Sequence, residues 1–123
     1  MAKEAGRNEF GNVIIPISRG VALLQIMEKI DTQRSHTAMS QILKKCSEKE
    51  IKHLIIDVSG VTFINEAGAR SLIQLIQALQ LIGVKTIISG IQPLVAQMAI
   101  KTGIYFKDLT FDSNVMAALN KLI

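Results

Sequence analysis

The chain has 123 residues, of which 49% are apolar and 20% charged, and its formal net charge is +4. That length suits one domain with a single core and is too short for two ordinary domains, and the composition is that of a soluble globular protein rather than a disordered chain. Only 4% of the residues are aromatic, so aliphatic side chains must fill the core.

The positive charge would attract anionic partners, but the charges are mixed along the chain. Between residues 44 and 52, four lysines alternate with Glu48 and Glu50. Nucleic-acid footprints cluster one sign of charge on a face and often add aromatic residues that stack on bases. We interpret this run as a solvated helix end, and we expect no nucleic-acid partner.

Location is indicated by the segments that the sequence lacks. The first ten residues have no apolar centre of the kind that a signal peptide needs, and the lone Cys46 cannot form an intrachain disulfide. The most apolar region, residues 72–84, is interrupted by glutamines and falls short of the roughly 20 residues of a membrane span. We expect a cytoplasmic location and no membrane contact.

In chain order, residues 1–11 have no apolar period and are expected to be a linker or a remnant of cloning, so the domain is placed at residues 12–123. Apolar runs at 13–17 and 21–26 flank the turn at 18–20, which predicts a hairpin. A helix is expected from about Thr32 to Ser47, with Asp31 as its N-cap.

The middle of the chain alternates between strand and helix patterns. The run from His53 to Asp57 is typical of a strand buried on both faces, and residues 58–64 are expected to form a loop after it. Asn65 suits the N-cap of a second helix, which Gly83 ends. That helix should bury Leu72, Leu75, Ile76 and Leu79. A further buried strand is predicted at 84–89.

The last third should hold two more helices. Pro93 suits the first turn of the third helix, and Gly103 suits its exit. Leu94 and Met98 are expected to face the core, with Val95 as a further candidate. Residues 106–110 are expected to add a short edge strand. Asp112 or Ser113 should cap the final helix.

The predicted order of elements defines the fold class. An initial hairpin followed by alternating strands and helices indicates an α/β fold, with a mixed β-sheet and about four α-helices packed on it.

The residues that could support catalysis form no constellation. His36, His53 and Cys46 lack the spacing of a metal site or a nucleophile with its base, and no Walker-type loop is present. We therefore expect no enzyme activity, no metal and no cofactor.

The start of the second helix is the position that invites a functional interpretation. Asn65 and Glu66 follow a buried strand, where the unpaired N–H groups and the helix dipole stabilise a carboxylate by about 0.3 to 1 kcal/mol. Glu66 is either simple capping chemistry or part of a site for a partner.

Two motifs carry a resemblance that covers residues 14–123. DVSGVTFINEAG, at 57–68, resembles the STAS domain shared by anti-sigma-factor antagonists and the cytoplasmic tails of sulphate-type anion transporters. IISGIQPLVAQMAIKTGI, at 87–104, is similar to the stressosome co-antagonists of the RsbR type. The pair Asn65-Glu66 looks most like the blue-light-receptor branch of that group.

The resemblance implies a fixed charge at one switch position. In such antagonists, a kinase phosphorylates a Ser or Thr that matches Glu66, and the preceding residue is usually Asp where this chain has Asn65. A glutamate has one charge where a phosphate has about two, so it is a partial mimic. By the same resemblance, Thr32 in KIDTQRS matches a second regulatory threonine, with Asp31 before it and Arg34 two residues on.

The leading hypothesis is a non-enzymatic protein–protein interaction module that regulates a sigma factor, acting as scaffold and phospho-switch. Its partners would be antagonist and co-antagonist STAS proteins, copies of itself and a serine/threonine kinase. Thr32 is the phosphorylation candidate, and the alternative acceptors are Ser35, Thr37 and Ser59. The docking candidates are Asp31, Arg34, Ser59, Asn65 and Glu66. The alternatives are the cytoplasmic domain of an anion transporter and a nucleotide-binding module.

Overall fold

The structure, a computed structural model, describes the backbone of residues 14–30 and 35–122 and the side chains of residues 14–27 and 38–122. Its elements are β1 (Ile14–Ser18), β2 (Val21–Ile30), α1 (Ser35–Glu48), β3 (His53–Ile64), α2 (Glu66–Leu81), β4 (Lys85–Ser89), α3 (Pro93–Lys101), β5 (Phe111–Asp112) and α4 (Val115–Leu122). The predicted linker, Asp31, Thr32 and Arg34 lie outside the described residues.

The strands form one mixed sheet in the order β1-β2-β3-β4-β5. β1 and β2 are the predicted hairpin and pair antiparallel, and the later pairs are all parallel. Because the connections between parallel strands must cross over the sheet, helices cover its faces. The α/β fold with a mixed sheet and four helices in the described part of the chain confirms the predicted class.

The sheet is buried on both sides, as the apolar run in β3 predicts. Alternate residues of a strand point to opposite faces. Leu54 and Ile56 enter the larger core with side chains of α1, α2 and α3, whereas Ile55 packs with Ile87 and with Ala118 of α4 on the other face. Three helices therefore cover one face, and α4 covers the other.

β3 is longer than expected, because the predicted loop at 58–64 is wrong. These residues continue as strand and pair with β2 as far as the partners Ile30 and Ile64. Two register shifts each put one extra residue into β3. The buried positions consequently pass from a spacing of two to a spacing of three at Val58, Val61 and Ile64. The bulges erased the period-two pattern that marks a strand.

The helices match the predictions in their positions more than in their ends. α2 buries the predicted stripe of Leu72, Leu75, Ile76 and Leu79. α3 begins at Pro93 as predicted, but Leu94 is 67% exposed. The buried stripe of α3 consists of Val95, one of the candidates, and Ala99 one helical turn on, with Met98 half-buried beside them.

Two predictions near the C-terminus are wrong. The last strand is β5 rather than residues 106–110. The cap of α4 is Asn114, whose Oδ1 accepts a hydrogen bond from the amide of Ala117 at 2.8 Å. Asp112 does not cap the helix because its side chain accepts the amide of Ser113 at 2.8 Å and pairs with Lys121 Nζ at 3.0 Å.

The buried position of Cys46 generates the first prediction. Cys46 is 1% exposed, and burial raises the pKa of its thiol from 9.0 to about 11. We expect a disulfide reagent at pH 8 to react with the native protein about a hundredfold or more slower than with the protein in urea, because only the thiolate attacks and only an opened chain exposes it. Absorbance of the released thiol product measures both rates.

The same shift predicts a pH dependence of stability. The unfolded thiol ionises near 9 and the folded one near 11, so the unfolded state loses its proton first and the free energy of unfolding falls as pH rises above 9. In Cys46→Ala this part of the decline should vanish. Rapid labelling of the native protein, or an identical decline in both proteins, would contradict the assignment of Cys46 as a closed core residue.

Candidate functional site

A polar row crosses three parallel strands, at the carboxyl end of β4 and in the middle of β2 and β3. Gln25, Asp57 and Ser89 are direct neighbours on β2, β3 and β4, two residues beyond the apolar row that contains Ile55 and Ile87. Asp57 is 5% exposed and Ser89 is fully buried. Within the described side chains these two are the buried polar ones, and on β3 buried apolar positions continue beyond the row at Val58, Val61 and Ile64.

Four donors satisfy the carboxylate of Asp57. Its Oδ2 accepts from Gln25 Nε2 at 3.3 Å and from Ser59 Oγ at 2.9 Å. Its Oδ1 accepts from the Ser59 amide and from Ser89 Oγ, each at 3.3 Å. A buried charge is costly unless it is hydrogen-bonded, and here the acceptor sites are occupied. Asp57 therefore links three strands through hydrogen bonds and is not a free general base. We call Asp57 and its partners Gln25, Ser59 and Ser89 the Asp57 cluster.

The loop after β4 packs against the Asp57 cluster. Gln92 Nε2 donates to the Ser59 carbonyl at 2.6 Å. Gly90 has a φ of +78°, and a Cβ on it would lie 3.0 Å from Ser59 Cβ and 3.1 Å from Asp57 Oδ1. A side chain is thus excluded both by conformation and by space. The two motifs at 57–68 and 87–104, distant in sequence, meet at this contact.

Asn65 links β3 to α2 and caps the helix as predicted. Its backbone is extended, and its Oδ1 accepts a hydrogen bond from the amide of Gly68 at 2.8 Å. Its carbonyl accepts the amide of Ala69 at 2.9 Å, the first bond of the helix. The cap therefore fixes where α2 begins and how Glu66 leaves the sheet.

Glu66 is the first residue of α2, and its side chain is 58% exposed. Its Oε2 lies 2.7 Å from Arg70 Nη2, one turn along the helix. An exposed pair of this spacing stabilises a helix by about 0.3 to 0.5 kcal/mol. The carboxylate is consequently presented to solvent with a cation beside it. The sequence interpretation missed Arg70, although the spacing Glu-x-x-x-Arg was there to read.

The predicted site residues fall into two groups. Ser59, Asn65 and Glu66 lie along one continuous stretch from the bulge of β3 to the start of α2. We call this stretch, residues 57–66 with Arg70, the switch edge. Asp31, Thr32 and Arg34 lie outside the described residues. The sequence interpretation did not identify Asp57 or Gln92, because nothing local shows that their partners come from other strands.

Neither a metal site nor a membrane-spanning helix is found in the described part of the chain. Among the side chains of residues 14–27 and 38–122, no group of three or more His, Cys, Asp and Glu residues could hold a metal ion. Across the backbone of residues 14–30 and 35–122, no helix combines the length and the apolar character that crossing a bilayer requires.

The capping hydrogen bond of Asn65 should contribute measurably to the free energy of unfolding. Replacing it with alanine should lower the free energy of unfolding by about 1 kcal/mol, since the Gly68 amide loses its acceptor, whereas Asn65→Asp should keep the cap. Urea unfolding followed by circular dichroism measures both. Asn120→Ala, on the exposed surface of α4, is the control and should change stability by less than about 0.5 kcal/mol. Equal stability of Asn65→Ala and the parent chain would refute the cap.

Comparison with known proteins identifies the family. The profile of the STAS domain matches residues 12–118. The RsbT co-antagonist protein RsbRB of Bacillus subtilis is 38% identical over 112 residues, which are 91% of this chain and 40% of the relative. The blue-light photoreceptor of Listeria monocytogenes is 26% identical over 106 residues, 86% of this chain and 42% of the receptor. The chain thus spans about two fifths of the length of the RsbRB, RsbRD and RsbRC co-antagonists.

Solved structures agree on the fold. A chain in the molecular architecture of the stressosome, a signal integration and transduction hub, superposes with a TM-score of 0.75 at 20% identity, covering 89% of this chain and 95% of that one. At this identity the likeness concerns the fold alone. The matched profile and the RsbR co-antagonist relatives together show that the chain belongs to the STAS domain family.

Proposed function

We propose that this STAS domain is a non-enzymatic regulatory module of an RsbR-type co-antagonist in sigma-factor regulation. It would act in the cytoplasm as part of a stressosome-type assembly. Its partners would be other STAS proteins, copies of itself, a serine/threonine kinase and, following the name of its relatives, an RsbT-type protein. The observation that carries the proposal is the similarity to an RsbT co-antagonist across 91% of the chain.

The switch edge supports a docking role by its construction. A docking site on a rigid base binds with less loss of conformational entropy than a free loop does. Here the rigid support consists of the hydrogen-bonded Asp57 cluster and the Asn65 cap. The exposed group is the ion pair of Glu66 and Arg70. Such a fixed pair of charges suits recognition of a partner that offers complementary charges.

Chain connectivity supports including Thr32 in the same surface. Ile30 pairs with Ile64, which immediately precedes Asn65. Thr32 follows Ile30 by two residues in the sequence, and two residues of chain span at most about 7 Å. We therefore propose that a phosphate on Thr32 would add its charge beside the switch edge, with Asp31 and Arg34 as neighbours in sequence.

The charges of the switch edge disfavour a nucleotide-binding role. A phosphate approaching the start of α2 would meet the Glu66 carboxylate, with the Asp57 carboxylate beneath Ser59. Ser59 Oγ already donates to Asp57, so it is not free to donate to a ligand oxygen. The predicted loop that would cradle a phosphate is strand. Protein docking is the function that this arrangement supports better.

The phospho-switch part of the proposal is tested by mass spectrometry. After incubation with ATP and a stressosome-type kinase from the same organism, intact mass and peptide mapping should show one phosphate at Thr32. Thr32→Ala should abolish it, and Thr37→Ala, a nearby threonine, should not. No phosphate on the parent chain, with the kinase active on its usual antagonist, would leave a scaffold without this switch.

The docking part is tested by charge reversal. Glu66→Lys places two like charges at the first turn of α2, and we expect binding to an antagonist STAS protein to weaken about tenfold or more. Calorimetry measures the affinity. Glu48→Lys is the matched control, because Glu48 is also exposed and pairs with a residue one turn away, Lys44, at 4.0 Å. Equal affinities of Glu66→Lys and Glu48→Lys would argue against docking at the switch edge.

A further inference from the structure

An apolar cavity lies directly behind the switch edge. It has a volume of about 230 Å³, opens to solvent on one side and is lined by residues of β3, β4, α2, α3, β5 and the chain that leads into β5. We propose that this cavity is a binding site for one small uncharged apolar molecule, in the size range from benzene to naphthalene. The proposal stands on the cavity alone and does not depend on the proposed function.

The volume sets the size of the occupant. Protein interiors are close-packed and contain few voids larger than a water molecule. An engineered apolar cavity of about 150 Å³ stays dry and binds benzene. By proportion, a cavity of about 230 Å³ accommodates roughly nine carbon atoms. A nucleotide or a peptide segment is too large to be enclosed.

The lining sets the chemistry of the occupant. Every described residue that lines the cavity is apolar, among them Val58, Ile64, Leu72 and Ala99. A charged ligand would lose its hydration without gaining a counter-charge or a hydrogen bond, which is prohibitively costly. Water is disfavoured for the same reason, because a buried water needs two to four polar partners. An uncharged apolar molecule is the class that such a lining accepts.

Two lining residues mark where the cavity reaches the surface. Ile100 of α3 is 73% exposed and Phe111 of β5 is 40% exposed, although both contribute to the lining. The other walls are formed by buried side chains such as Val58, Leu72 and Ala99. The mouth of the cavity therefore lies between α3 and β5.

Two of the elements that line the cavity, β3 and α2, also carry the switch edge. Val58 and Ile64 bracket the bulged part of β3, and Leu72 lies on the helix that Glu66 begins. A molecule in the cavity would thus contact both elements that hold the switch edge in place.

The test is a titration of the isotope-labelled chain with benzene, followed by methyl and amide chemical shifts, with benzoate as the charged counterpart. We expect saturable shifts of the methyl groups of Val58, Ile64 and Leu72 with a dissociation constant of about a millimolar or tighter, and no such shifts with benzoate. Absence of saturable shifts with benzene, or equal binding of benzoate, would overturn the proposal.

Variants that fill the cavity locate the site. Ala99→Leu occupies the cavity from α3 and should weaken benzene binding at least tenfold. Ala96→Leu, on a half-buried lining position, is a second variant should the first fail to fold. Ala117→Leu, half-buried on α4 on the opposite face, is the matched control and should bind as the parent does. Undiminished binding in a folded Ala99→Leu or Ala96→Leu would show that benzene binds elsewhere.

Discussion

A buried carboxylate links the three central strands of this sheet. Asp57 can remain inside only while its oxygens are matched by donors, and those donors come from β2, from the bulge of β3 and from β4. The register of three parallel strands therefore depends on one side chain. The close approach of Gly90 follows from the same constraint, since the loop after β4 must pass directly over Ser59 and Asp57.

The bulges of β3 lie between the Asp57 cluster and the start of α2. Each extra residue in β3 turns the strand, so that Val61 and Ile64 still reach the core although the spacing has changed. The strand then delivers Asn65 to the start of α2 with its cap formed. Glu66 and Arg70 are exposed, yet they stand on a segment whose backbone is fixed on both sides. The proposed docking role rests on these two properties, an exposed charge pair and a fixed backbone.

The same short segment also separates two different environments. Behind it lies an apolar cavity with Val58 and Ile64 in its wall, and in front of it lie the charges of the switch edge. On the opposite face of the sheet, α4 covers a smaller apolar cluster around Ile55. The face with three helices carries the cavity because α3, which contributes only Val95 and Ala99 as fully buried side chains, leaves space above β4.

Local chemistry in the sequence determined the sheet class, the buried stripe of α2 and the Asn65 cap, because apolar period and capping residues act over a few positions. The resemblance of two motifs pointed to the family. The tertiary structure alone decided that residues 58–64 are strand, since bulges destroy the period and pairing with β2 supplies the hydrogen bonds. It also decided that Asp57 is satisfied, because its donors lie 32 residues away on either side as well as next to it. Contacts across strands leave no local signature, and they determine the geometry of this site.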